Sequence, residues 1–277
     1  RPLLFLVAAL AIAAGSYAWA AVQGGHRASP AAAPPAAGAF DGSGAGLADP
    51  AAAAGVDGRL SLNEQIAFWQ GRVQRTPKDF LSMVQLALAE AAKARLTADL
   101  GLYQQAAAQI DQALTFDPRY GAGLRAKAQL AFALHDFSTA MTAAHGALER
   151  DPRDAGARAI LGDALLELGR LDDAEAAYAA IAATAAGPAL DARLAHLALV
   201  RGRTDQAFAL AQQASAEAAS EPDVDLAFYG YQLGETARQT GHDAAARSGY
   251  QVALAARPGD LGSLVGLARL DAFDGRI

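Results

Sequence analysis

Residues 155–187 read AGARAILGDALLELGRLDDAEAAYAAIAATAAG, and this stretch decides the fold. Gly169-Arg170 divides it into two helical halves. Glycine just past a helix ends it in the left-handed conformation, and an aspartate such as Asp172 is expected to cap the helix that follows. The unit is therefore helix, tight turn, helix. Gly162 stands midway along the first helix and Ala174 opens the second, so two antiparallel helices can approach closely. Tyr178 is the large residue that fills the space between this pair and the next.

The same punctuation recurs on both sides. Pro77, Pro118, Pro152, Pro188, Pro222 and Pro258 are separated by 41, 34, 36, 34 and 36 residues. Asp117-Pro118, Asp151-Pro152 and Glu221-Pro222 repeat as acid-proline pairs. Gly202-Arg203 and Gly241-His242 match Gly169-Arg170, each followed by an aspartate, Asp205 or Asp243. The small position of the first helix recurs as Ala128, Ala195, Gly234 and Gly266. That of the second recurs as Ala106, Ala140, Ala207 and Ala246, with Ile110 and Tyr250 as further large fillers. A period of this length is the mark of a stacked repeat.

The 34-residue period, the phased small residues and the closing proline resemble the tetratricopeptide repeat over about 60–277. The resemblance implies an all-α, right-handed α-solenoid, with repeats at 80–117, 121–151, 155–187, 188–221 and 224–257 and an incomplete one at 259–277. The pattern is broken in places. About seven residues are inserted near AKARLTADLGLYQQA, His135-Asp136 replaces the turn glycine, and Ala211 stands where a large residue is usual. Segment 61–76, SLNEQIAFWQGRVQRT, opens with a capping box, Ser61 and Glu64. Its stripe of Ile66, Phe68, Trp69 and Val73 suits a lone helix covering the first pair, since terminal repeats need a cap. The last repeat stops at Phe273-Asp274-Gly275-Arg276-Ile277, where a second helix is expected to begin.

Upstream, 2–22 reads PLLFLVAALAIAAGSYAWAAV, without a charge between Arg1 and His26. About 20 apolar residues span a bilayer as a helix. A retained anchor with interfacial Tyr17 and Trp19 competes with a cleaved signal ending at Ala18-Trp19-Ala20. Both place the remainder outside the cytoplasm: tethered at a bacterial-type inner membrane, or periplasmic or secreted if cleaved. Residues 23–58 contain 27 Ala, Gly, Pro or Ser among 36, which cannot offset the entropy of ordering and reads as a disordered linker. The domains expected are thus 1–22, 23–58 and 59–277.

Composition excludes several functions. A net charge of −6 argues against a nucleic-acid partner. The absence of cysteine removes disulfides, thiolate metal sites and cysteine nucleophiles. His26, His135, His145, His196 and His242 show no metal-ligand spacing, and His135 and His242 read as solvated turn residues. Asp172-Asp173-Glu175 reads as a dipole-favoured helix start. No Gly-x-Ser-x-Gly elbow or phosphate loop occurs. No enzyme activity, cofactor or metal is expected.

The resemblance places the first helices on a concave binding face. Steps of three and four bring Val84, Leu88, Arg125, Gln129, Phe132, Ala159, Asp163, Leu166, Ala192, His196 and Leu199 to it. Farther along come Phe228, Tyr231, Glu235, Arg238, Ser263, Leu267 and Leu270. The partner-binding residues expected are Arg125, Gln129, Phe132, Asp163, His196, Phe228, Tyr231, Glu235 and Arg238, with a peptide or protein as ligand. Tyr231, Glu235 and Arg238 form the expected hot region, because Tyr and Arg are typical anchors. Of the Lys/Asn positions by which chaperone-cofactor relatives hold C-terminal carboxylates, only Arg125 with Gln129 imitates the clamp. The function expected is a membrane-tethered interaction scaffold. The alternatives are an assembly subunit resembling those of cytochrome c-type biogenesis, and a targeting module for a domain beyond Ile277.

Overall fold

The computed structural model describes residues 60–97, 99–221 and 224–275. The expected membrane segment 2–22 and linker 23–58 lie outside the described residues. Among the described residues no helix is long and apolar enough to cross a membrane. All regular structure there is helical: α1 Leu62–Arg75, α2 Phe80–Thr97, α3 Leu100–Phe116, α4 Gly121–Ala133, α5 Phe137–Arg150, α6 Ala155–Glu167, α7 Leu171–Ala182, α8 Pro188–Val200, α9 Thr204–Ser220, α10 Leu226–Gln239, α11 Asp243–Ala256 and α12 Leu261–Phe273. Two compact units result, and the division falls inside α7 between Ala177 and Tyr178.

In the first unit α1 packs on α2, and α2/α3 and α4/α5 are antiparallel pairs. The first helices α2, α4 and α6 are successive neighbours. Ser61 accepts from Glu64 N–H while the Glu64 carboxylate accepts from Ser61 N–H at 2.8 Å, the reciprocal cap expected of α1. Trp69 and Leu86 form the core beneath α1, edged by Ile66, Phe68 and Val73. Around the insertion the two helices are long: α2 and α3 run to 18 and 17 residues, and Asp99 caps α3 by accepting from Leu102 N–H.

In the second unit α8/α9 and α10/α11 pair, with α12 packed against α10 and α11. The spaced alanines explain the close pairing in both units. Ala106, Ala128, Ala140, Ala174, Ala195, Ala207 and Ala246 are all buried, as are the larger Ile110, Tyr178 and Tyr250. Buried methyl groups contribute dispersion and hydrophobic stabilisation while leaving helix backbones near enough to interlock.

The turns inside the pairs share one geometry. Gly169, Gly202 and Gly241 have φ of 74°, 73° and 79°. The N–H groups of Arg170, Arg203 and His242 reach back to the carbonyls of Leu165, Ala198 and Ala237 at 2.8–2.9 Å. That is the six-to-one closure of a Schellman motif. His135 adopts the same conformation without being glycine, at φ 61°, and Asp136 N–H bonds Ala131 O at 2.9 Å. A left-handed β-carbon costs about 1–2 kcal/mol. We therefore expect His135→Gly to raise stability by about 0.5–1 kcal/mol, net of the greater unfolded-state freedom of glycine. A thermal melt checks this; a lower midpoint would mean that the edge-on contact of His135 with Phe137 outweighs the strain.

Two expectations are corrected. Asp172, Asp205 and Asp243 do not cap; they lie inside the first turns of α7, α9 and α11, where the dipole favours them. The capping flank of α9 and α11 falls to Arg203 and His242, which make no side-chain cap bond. The capping aspartates stand elsewhere: Asp136 before α5, and Asp154, Asp225 and Asp260 before first helices. His242 is not simply a solvated turn residue. Its ring stacks on Phe208 with centroids 3.9 Å apart, tying α9 to the α10–α11 turn.

Candidate functional site

The first helices carry the polar residues that tertiary packing leaves at the edge of each core. In the first unit, Arg125 on α4 donates to Asp154 Oδ1 at 3.1 Å and Oδ2 at 3.3 Å. Asp154 Oδ1 also accepts from Ala157 N–H at 2.9 Å, so one carboxylate caps α6 and fixes the guanidinium. A side chain on Gly156 would meet Arg125 Nη1 at 3.4 Å, which makes the small residue part of the cradle. Arg125 is thus committed to the fold rather than open as one half of a clamp. Phe132 is core, only 1% exposed. Gln129 is 5% exposed, and its Nε2 finds no acceptor among the described residues.

Asp163 on α6 is buried. One turn on, the Glu167 carboxyl is raised to about 7, first by burial and then by the Asp163 carboxylate. Glu167 was not among the residues expected from sequence, although its spacing of four from Asp163 places it on the same face. This part of the unit offers an unused amide donor and, in Glu167, a carboxyl with weakened ionisation.

In the second unit, His196 on α8 is buried, and burial pushes its imidazole down to about 4. It is therefore neutral at pH 7. Phe228 belongs to the core with Ala192, Ala214, Ala218 and Tyr229. Tyr231, Glu235 and Arg238 on α10 come together and stay partly exposed. Arg238 donates to Glu235 Oε2 at 2.9 Å, and the Tyr250 hydroxyl of α11 donates to Glu235 Oε1. Burial pushes Glu235 up, but these bonds outweigh it and hold the carboxyl below the ordinary glutamate range. The Tyr231 phenol is raised to about 12, first by burial and then by the carboxylates of Glu235 and Asp260. Its ring lies over Gly262 of α12, where a β-carbon would fall 2.7 Å from it.

The capping aspartates missed as site residues also anchor arginines. Arg257 donates to Asp225 at 2.7 and 2.8 Å and lies 3.4 Å from Asp260. The signal was present, since Asp154 and Asp260 each stand two residues beyond a repeat proline. Among the described residues no three of His, Asp and Glu gather as a metal site. What the surface can do chemically is present pre-oriented aromatic, acidic and guanidinium groups.

Comparison with known proteins agrees with this architecture. Residues 131–197 match the tetratricopeptide repeat family model. No curated protein matches the chain in sequence. Among solved structures, a thermophilic tetratricopeptide protein of Thermus thermophilus aligns with TM-score 0.58 and 23% identity over 69% of this chain and 98% of that one. PilW, a type IV pilus biogenesis factor, aligns with TM-score 0.56 and 18% identity over 79% and 94%. The Cut9–Hcn1 tetramer of the APC/C aligns with TM-score 0.63 and 16% identity over 78% of this chain, which spans only 40% of that chain. In sequence over 131–197, and in fold over most of its length, this chain is similar to tetratricopeptide-repeat proteins.

Proposed function

We propose that this chain is a protein-interaction scaffold that holds a peptide or partner protein against the first helices of its repeats. The observation carrying this reading is the Tyr231–Glu235–Arg238 group. It is partly exposed, yet already oriented by Tyr250 and Gly262. Pre-organised Tyr and Arg side chains lose little further freedom on binding, so contact energy appears as affinity. Tetratricopeptide repeats generally serve protein–protein interaction, which supports the same reading.

The tether in this proposal is segment 2–22. Its uncharged apolar length supports insertion in a bacterial-type inner membrane with the repeats outside the cytoplasm. The test is a pull-down from solubilised membranes with the full chain beside a Tyr231→Ala, Arg238→Gln variant of matched melting temperature. Loss of one specific protein from the variant is the expected result. Equal capture by both would remove the first-helix face as the binding site. The captured species also separates the narrower readings. An unfolded client with haem-attachment cysteines would mark an assembly subunit as in cytochrome c-type biogenesis; a stable folded partner would mark a scaffold. A longer reading frame would mark a targeting module for a domain beyond Ile277.

A further inference from the structure

A cleft of about 600 Å³ opens in the first unit on the side of the second helices, between the end of α3, the turn into α4, and α5. That volume lies in the range of pockets that enclose small molecules or a few residues of peptide. Its floor is aliphatic, from Leu114, Leu124, Ala143 and Gly146. Three cations line it, Arg119, Lys127 and Arg150, against one acid, Glu149. Lys127 is paired with Asp111 at 2.7 Å. Arg119 and Arg150 are exposed, and neither makes an ion pair among the described residues.

Both arginines are nevertheless placed. The Arg119 backbone N–H donates to Asp117 Oδ1 at 3.0 Å, which sets its turn. The Arg150 stem crosses the start of α4 where Gly121 leaves room: a β-carbon there would meet Arg150 Cβ at 3.3 Å. Hydroxyls complete the lining. Ser138 donates to Asp136 Oδ1 at 3.0 Å, and Thr142 donates to Ser138 O at 2.9 Å. Their protons are used, so their oxygens remain as acceptors.

We propose that this cleft is a second binding site, distinct from the first-helix face, for an acidic peptide segment with an aliphatic side chain beside its carboxylates. The guanidiniums match carboxylates, the hydroxyl oxygens match backbone N–H groups, and the floor matches the aliphatic side chain. A nucleotide fits less well, because no aromatic ring lines the cleft to stack a base. Glu149 weighs against a ligand of high negative charge. In a chain whose net charge is −6, two unpaired arginines beside an apolar floor are a local exception.

The test is fluorescence anisotropy on the full chain in detergent micelles. The probe is a fluorescein-labelled peptide of alternating Glu and Leu, with an alternating Gln and Leu peptide as control. Saturable binding of the acidic peptide alone is expected, weakened by salt. Arg119→Gln with Arg150→Gln should weaken it about tenfold or more, since charge-assisted hydrogen bonds are lost. Gly146→Leu should also abolish binding by filling the cleft; its β-carbon would sit at an ordinary 3.4 Å from Leu124, and a thermal melt run beside the titration checks that the variant is folded. Tyr231→Ala should leave binding unchanged, which separates this site from the first-helix face. Absence of saturable binding, equal binding of the Gln peptide, full binding by the arginine variant, or displacement by equimolar inorganic phosphate would each overturn the proposal.

Discussion

Gly249→Ala should lower the stability of the second unit by about 3 kcal/mol, the upper part of the usual range for overpacking. A β-carbon on Gly249 of α11 would lie 2.6 Å from Gly234 N and 2.8 Å from Gly230 O. The contact is reciprocal, since a β-carbon on Gly230 would lie 2.8 Å from Ala253 N. Backbone meets backbone here, so no side chain can turn aside. Glycine to alanine inside a helix ordinarily gains about 1 kcal/mol, and the sign of the measured change therefore decides the matter. The midpoint of thermal unfolding should fall by about 6–12 °C. An unchanged or higher midpoint would mean that α10 and α11 do not cross so closely. Gly234→Ala tests a softer contact, because its β-carbon would strike the Tyr250 ring at 2.4 Å. The same ring lies against Gly266 of α12 at 2.4 Å. Shrinking it with Tyr250→Leu should recover part of the Gly234→Ala loss, a coupling that a double-mutant cycle would measure.

Asp191→Asn should stabilise the protein by about 1–2 kcal/mol at pH 8 and by about a third as much at pH 4.5. The Asp191 carboxyl of α8 lies within hydrogen-bonding reach of Glu217 on α9. It is raised from 3.8 to about 6, first by burial and then by Glu217. Asp191 Oδ2 and Glu217 Oε2 are both buried and lack a donor among the described residues. Gln213 serves only Glu217 Oε1, at 3.0 Å. A carboxyl whose pKa is raised on folding contributes most below its unfolded value, near pH 4. That contribution is lost as pH rises through about 6. Asparagine supplies a donor to Glu217 at every pH and removes one charge. The full shift would correspond to about 3 kcal/mol, and partial exposure reduces it. His196 on the same helix acts oppositely: its pKa is lowered to about 4, so its contribution is lost as pH falls below about 6.5. It is present in both proteins and cancels in the difference. Denaturant titrations at the two pH values check this, and an equal effect at both would show that the carboxyls are not coupled.

Much of the architecture was legible because it is written locally. The turn glycines announce themselves through a conformation that other residues resist, and His135 shows that the turn holds even where the residue is wrong for it. Ser61 and Glu64 lie three residues apart, so their mutual cap needs no tertiary help. Asp172, Asp205 and Asp243 were misread because a first-turn acid and an N-cap differ by one or two residues. Only backbone geometry separates them.

The candidate site was less legible. Steps of three and four placed Phe132, His196 and Phe228 beside Tyr231 as equals, yet the first three are buried and Tyr231 is partly exposed. How deep a residue sits depends on the neighbouring helix pair, which helix periodicity does not encode. Arg125 pairs with Asp154 and Arg257 with Asp225, partners 29 and 32 residues apart. What the sequence alone determined is the succession of helix pairs and their turns, because helix periodicity and turn stereochemistry act over a few residues. The tertiary structure alone decided the backbone contact of Gly230 and Gly249, the consumption of Arg125 by a cap, and the exposure of Tyr231, Glu235 and Arg238. These follow from how closely and at what register helices cross, a property of two surfaces meeting rather than of either strand of sequence.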